Sequence, residues 1–186
     1  ITTDNYRSTV NGVAADEFPE LPKIDDPIVL KIASADIKKA ITQTVLTASH
    51  DETRPILTGV YIHSHENSLY MAATDGYRLS EKKVTSVEDD IAAIVPVQTL
   101  QDVARVLPDD CDEIEILLGA EQIRFRMNDI EITSRLIEGA FPDYRQLIPK
   151  STEISFQSDK EDLTRISKIA SLFARESGGS ITIKAD

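Results

Sequence analysis

The sequence His63-Ser64-His65-Glu66 is the first place where reactive side chains stand at a useful spacing. Alternate residues of a strand face one side, so His63 and His65 could both reach one metal ion, with His50 or Glu66 as a further ligand. The segment runs straight into Asn67-Ser68, which reads as a hairpin turn, and solvated His and Glu are ordinary there. The single cysteine, Cys111, cannot form an internal disulfide, and it lies in Asp109-Asp110-Cys111-Asp112, where neighbouring carboxylates disfavour the thiolate. The pairs Asp89-Asp90 and Asp109-Asp110 fall at element boundaries and read as caps or turns, not as an acid and base pair. No phosphate-binding glycine loop is present, and Ser177-Gly178-Gly179-Ser180 reads as a turn between a helix and a strand. The expectation is a protein that is not an enzyme, with no cofactor and no metal; a metal-binding enzyme built on His63 and His65 is the weaker alternative.

The elements that must carry any site come from a chain of 186 residues and 41% hydrophobic content, enough for a real core and for one large or two small domains. No apolar run approaches the roughly 20 residues a membrane helix requires. The opening Ile1-Thr2-Thr3-Asp4 has neither a basic leader nor an apolar signal core, so a cytoplasmic protein is expected. The first residue is not Met and Asp186 follows an alternation that has barely begun, so both ends read as cut. The net charge of −12 argues against nonspecific adhesion to nucleic acid, but a few Lys and Arg directed at one place would suffice for contact, so the distribution decides. An acidic protein-binding scaffold is the corresponding alternative.

The order of elements repeats. Alternation around Tyr6 to Val10 leads through Asn11-Gly12 to Glu17-Phe18-Pro19-Glu20-Leu21-Pro22, then to a strand over Ile28 to Ile32. A helix follows, N-capped by Ser34, with Ile37, Ala40, Ile41, Thr44, Val45 and Ala48 at helical spacing. The same order returns: alternation from Ile130 to Ile137, then Phe141-Pro142-Asp143-Tyr144 and Pro149, a strand over Ile154 to Gln157, and a helix opened by a Ser158/Glu161 capping box. That helix places Leu163, Ile166, Ala170 and Phe173 on one stripe. The two Phe-Pro-acid steps lie about 123 residues apart, the size of a small domain, which implies tandem copies of one unit. The complete copy between them holds strands over Leu57 to His63 and Ser68 to Thr74, an Asp75-Gly76 turn, and a strand over Tyr77 to Val84. A helix after Pro96 carries Leu100, Val103, Ala104 and Leu107, followed by strands near Glu113 to Leu118, Gln122 to Met127 and Ile130 to Leu136. This is an α+β domain of two helices packed on an antiparallel sheet.

Three segments make the pattern specific: Arg54-Pro55-Ile56-Leu57-Thr58-Gly59-Val60, then Ala73-Thr74-Asp75-Gly76-Tyr77-Arg78-Leu79, then Gly139-Ala140-Phe141-Pro142-Asp143-Tyr144 with Ile148-Pro149. In this order and spacing they resemble bacterial sliding clamps, the DNA polymerase III beta subunit family, over nearly the whole chain. The resemblance implies the DNA-clamp fold in tandem repeated domains, with residues 1–25 as the tail of a first domain and linker, 26–150 as a complete second, and 151–186 as the start of a third. It also implies a processivity factor of DNA replication: a head-to-tail homodimer ring around double-stranded DNA, with helices lining the hole and no membrane association. Replicative polymerase, clamp loader and repair proteins would dock short peptides in a groove.

For that groove the resemblance points to Leu57, Thr74, Gly76, Tyr77, Arg78, Leu79, Pro142 and Leu147, with Gln146 at its edge. The apolar members would take a leucine or aromatic anchor, and Thr74 and Arg78 would orient the peptide. By residue pattern alone, Asp75-Gly76 is a hairpin turn and Leu57 and Leu79 are core positions. A sliding tether cannot read bases, so it should offer cations loosely to phosphates. Lys38 and Lys39 on the first helix, Arg54, Arg105 on the second helix, and Lys160, Lys168 and Arg175 on the last are the expected DNA-facing set. Val97-Gln98 stands where clamps often carry basic residues, so the expected contact is weak and salt-sensitive.

Overall fold

The structure, a computed structural model, describes residues 1–17, 22–151, 154–174 and 181–184. The Phe18-Pro19-Glu20-Leu21 step, Arg175 and the Ser177–Ser180 turn lie outside the described residues. The chain divides into two compact units, Ile1–Phe141 and Pro142–Asp186.

The first unit opens with a small hairpin, β1 (Thr2–Thr3) and β2 (Tyr6–Arg7), shorter than the alternation to Val10 suggested because pairing ends at Arg7. β3 (Ile28–Ala33) buries Leu30 and Ile32 and exposes the residues between them. α1 (Ser34–Thr44) buries Ile37, Ala40, Ile41 and Thr44 at the expected spacing and tightens into a 3-10 turn, Val45–Thr47. Ser34 is not its cap. Ala33 holds the N-cap position with no side-chain cap, while the Ser34 hydroxyl turns inward to Cys111 Sγ at 3.5 Å and its N–H donates to the Asp112 carbonyl at 2.9 Å.

Pro55 pre-sets a 3-10 turn, Pro55–Thr58, closed by the Thr58 hydroxyl donating to the Pro55 carbonyl at 2.7 Å. Leu57 therefore sits in a turn, and β4 runs Gly59–His65. Gly59 is required there, because a Cβ would come within 2.5 Å of Ile94 Cγ2. β4 passes to β5 (Ser68–Thr74) through Glu66-Asn67, with φ of 46° and 55°. Two consecutive left-handed residues match the twist of a two-residue hairpin, so the turn lies one residue earlier than Asn67-Ser68. β6 spans Leu79–Ser86, since Asp75 to Arg78 are consumed by the preceding turn.

β7 (Ala92–Pro96) was not legible as a strand; its residues form an apolar run without alternation. α2 (Val97–Val106) follows Pro96 and buries Leu100 and Val103. The last strands are β8 (Glu113–Leu118), β9 (Gln122–Met127) and β10 (Ile130–Arg135). The antiparallel strands divide into two four-stranded sheets, β10-β9-β8-β3 and β6-β5-β4-β7. One core joins helices and sheets through fully buried Ile37, Ile41, Leu69, Met71, Leu100, Ile114, Phe125 and Met127. The result is an α+β architecture.

The second unit holds a 3-10 turn, Tyr144–Leu147, and α3, Lys160–Phe173. Asp159, not Ser158, caps α3: its Oδ1 accepts the N–H groups of Glu161 at 2.8 Å and Asp162 at 3.1 Å. Ser158 donates to the Asp159 carbonyl instead. Residues 154–157 form no strand, and Leu163, Ile166 and Phe173 remain exposed along α3. Among the described residues no helix is long and apolar enough to cross a membrane.

Candidate functional site

The turn between β5 and β6 is closed by a set of side-chain hydrogen bonds. Thr74 and Leu79 pair across the end of the two strands, which leaves four residues to reverse the chain. Gly76 takes φ +95°, a region that side chains rarely adopt. Thr74 closes the turn twice, its Oγ1 accepting the Gly76 N–H at 3.0 Å and donating to the Arg78 carbonyl at 2.7 Å. Asp75 does the rest. Its Oδ1 accepts the N–H groups of Tyr77 and Arg78, each at 2.8 Å, and its Oδ2 meets the Arg78 guanidinium through Nε at 3.0 Å and Nη2 at 2.9 Å.

These bonds favour the ionised carboxylate. The Arg78 amide, then the Tyr77 amide, hold the Asp75 carboxyl at about 2, well below the usual carboxylate range. With its N–H satisfied inside the turn, Tyr77 projects its side chain into solvent at 96% exposure. Asp75 was read only as a turn residue; an Asp two and three residues before the amides it accepts is the signal that identifies its larger role.

A second turn, between the Val45–Thr47 and Pro55–Thr58 turns, follows the same plan. Asp51 Oδ1 accepts the Thr53 N–H at 3.0 Å and its hydroxyl at 2.6 Å, and Oδ2 holds Arg54 Nε at 2.9 Å. The Thr53 hydroxyl and amide, with Arg54, lower the Asp51 pKa. Arg54 reaches the first turn: its Nη1 lies 3.6 Å from the place a Cβ on Gly76 would occupy. The Thr47 hydroxyl, at 2.9 Å from the Ala73 carbonyl, ties the end of α1 to the same end of β5.

Thr74 and Leu79 are partly buried at the ends of this turn, Gly76, Tyr77 and Arg78 are exposed on it, and Leu57 is partly buried in the Pro55–Thr58 turn. Pro142, Gln146 and Leu147 belong to the second unit, where Gln146 Nε2 donates to Asp143 and Leu147 is 77% exposed. The expected DNA-facing cations differ in their commitments. Lys38 lies 3.9 Å from Asp109, Arg105 is paired with Asp102, and Arg54 with Asp51. Lys39, Lys160 and Lys168 are exposed without an ion-pair partner among the described residues. Arg165, which was not singled out, stands between the last two and is paired with Asp162.

The histidines are occupied differently from a metal site. His63 is buried, stacked at 4.6 Å on Tyr61 and 5.7 Å on Tyr70, and Tyr61 stacks in turn on Phe141 at 4.9 Å. His65 meets Tyr70 edge-on and lies 3.7 Å from Glu66. Among the described residues no group of three His, Cys, Asp or Glu side chains is placed to hold a metal ion. Cys111 is buried, its Sγ donating to the Glu113 carbonyl at 3.2 Å.

Comparison with known proteins decides the family. Residues 31–143 match the family model described as the DNA polymerase III beta subunit, central domain. The chain belongs to this family. A beta sliding clamp of Staphylococcus aureus is 31% identical over 183 residues, covering 97% of this chain and 48% of the relative. The crystal structure of a DNA polymerase sliding clamp from Bacillus subtilis matches with a TM-score of 0.82 and 32% identity, covering 89% of this chain and 44% of that one. That of the beta subunit from DNA polymerase of Streptococcus pyogenes matches at 0.80 and 29%, covering 94% and 48%. The architecture described above is therefore the sliding-clamp fold of the beta subunit family, and this member spans about half the length of the relatives it matches.

Proposed function

We propose that this chain is part of a replication sliding clamp: a ring that encircles double-stranded DNA without reading its sequence and tethers a replicative polymerase, a clamp loader and repair proteins through short peptides. It is a tether and docking platform, not an enzyme, and its place is the cytoplasm. In this reading residues 1–25 are the tail of a first clamp domain and its linker, 26–150 a second domain, and 151–186 the start of a third. The intact ring is a head-to-tail homodimer.

The observation that carries the proposal is the pre-formed turn Thr74–Leu79 inside a beta-subunit central domain. A loop whose polar groups are already satisfied costs little entropy to use, and it presents Tyr77 and the remaining donors of Arg78 to a ligand. Leu57 and Leu79 supply apolar surface for a leucine or aromatic anchor. Lys38, Lys39, Arg54, Arg105, Lys160, Lys168 and Arg175 form the DNA-facing set, weak because several are already paired.

Fluorescence polarisation with a labelled peptide of the type Gln-Leu-x-Leu-Phe tests the docking function in the full-length protein. Saturable binding is expected, and Leu79→Asp should abolish it, because burying a carboxylate in an apolar pocket costs several kcal/mol. Absence of binding by the folded wild type would overturn it. Retention on circular but not linear DNA tests encirclement; equal behaviour on both would leave an acidic protein-binding scaffold.

A further inference from the structure

On β9, Ile123 and Phe125 face the core, so Arg124 between them faces the other way, where an arginine normally reaches water. It is buried instead, with only 9% of its surface exposed, and the segment over it is the one that leads into β3. Its guanidinium holds three partners there. Nη2 donates to the Pro22 carbonyl, Nε donates to Thr133 Oγ1 at 2.9 Å on the neighbouring β10, and Nη1 lies 3.8 Å from Glu131 Oε2. The other oxygen of Glu131 accepts from Arg126 Nε at 2.9 Å, so the sheet itself braces Arg124. Two residues after Pro22, Ile24 sits on Gly119 at the end of β8, where a Cβ would come within 2.5 Å of Ile24 Cγ2. The segment is thus pinned twice, and Lys23 between the pins is exposed.

We infer that Arg124 is a latch: it fixes residues 22–24 on the face of β9 and β10, locks the joint through which the preceding part of the chain meets this domain, and so governs how firmly the ring closes. The inference rests on the sliding-clamp reading above, in which residues 1–25 are the end of a first domain and its linker. A connector that crosses a sheet without joining its ladder has few backbone bonds to hold it, so side chains must do so. Three acceptors on three separate segments call for the planar fork of an arginine, which the point charge of a lysine cannot replace. Ile24 acts with it, because the missing Cβ of Gly119 leaves the seat it occupies. Stiffness at such a joint matters to a ring, since ends held at a fixed angle meet their partners at a higher effective concentration than ends that swing. Arg124 is a positioning residue: its partners Pro22, Thr133 and Glu131 belong neither to the docking turn nor to the DNA-facing set.

The test uses limited trypsin digestion of the full-length protein, with the cut after Lys23 timed by mass spectrometry, and retention on circular DNA as the second readout. R124M keeps the apolar stem and removes the fork. It should raise the rate of cleavage at Lys23 by about tenfold or more, while hydrogen exchange of the β5 amides stays at its wild-type level. R124K should leave cleavage fast; a return to the wild-type rate would mean that charge alone suffices and would overturn the latch. G119A evicts Ile24 with Arg124 intact and should speed cleavage by a smaller factor. Both R124M and G119A should shorten the lifetime on circular DNA, in the same order. Wild-type cleavage in folded R124M overturns the latch, and faster cleavage with wild-type retention overturns its part in ring closure. If R124M fails to fold by circular dichroism, G119A decides both points. Should wild type itself not stay on circular DNA, the clamp reading falls, and cleavage at Lys23 still judges the latch.

Discussion

Thr74 Oγ1 lies 2.7 Å from the carbonyl oxygen of Arg78, and this bond closes the β5–β6 turn on itself. The same oxygen accepts the Gly76 N–H, so one hydroxyl braces both limbs of the turn. Thr74→Val keeps the shape and removes both bonds. The expected outcome is a loss of about 1–2 kcal/mol in stability, read by urea unfolding, and a larger proportional loss of peptide affinity than at a control surface site. Unchanged affinity would mean that the turn needs no bracing to dock its ligand.

Asp75 should shape the acid limb of stability. Its folded pKa, about 2, lies below the ordinary value of 3.8, so the native state favours the unprotonated form. The stabilisation is then present in full above the unfolded pKa and is lost as pH falls from about 4 towards 2. Asp51, also lowered, acts in the same direction. Unfolding midpoints measured across that window should fall less steeply in D75N than in wild type.

The core offers a control of known sign. Phe125 is fully buried on β9 against the other central side chains, and Phe125→Ala should cost about 3–5 kcal/mol by transfer and cavity terms together. A thermal melt checks it, and a loss below about 1 kcal/mol would contradict the packing described.

DNA contacts should separate by pairing. Lys39→Gln, Lys160→Gln and Lys168→Gln each remove a cation with no ion-pair partner among the described residues, and each should flatten the dependence of log affinity on log salt by about one phosphate contact. Lys38→Gln should do less, because Asp109 already stands 3.9 Å from its ammonium. Slopes unchanged from wild type in all variants would place these helix faces away from DNA.

Strands with clean alternation were legible from sequence alone. Gln122 to Met127 alternates Ile123, Phe125 and Met127 with polar neighbours and forms β9 with those bounds, as Ser68 to Thr74 forms β5. β7 escaped because Ala92 to Val95 is apolar throughout, so periodicity could not tell a buried strand from a connector. Leu57 was drawn into β4 by its character, whereas Pro55 had already fixed a 3-10 turn. Both helix starts were misjudged by one residue. Ser34 resembles a cap but spends its hydroxyl on Cys111, a partner distant in sequence, and Asp159 displaces Ser158 because its carboxylate reaches two amides. At the candidate site, motifs located the turn, but the ion pairs that neutralise Arg54 and Arg78 depend on side-chain directions that no periodicity encodes.

The Glu66-Asn67 hairpin lies at the opposite end of β5 from Thr74, about 20 Å away along a seven-residue strand. Because only two residues link the strands there, a fluorophore carried on the exposed Asn67 side chain would move as one piece with β5. It would report on occupancy of the proposed docking turn by energy transfer from a labelled peptide, without altering any residue of that turn.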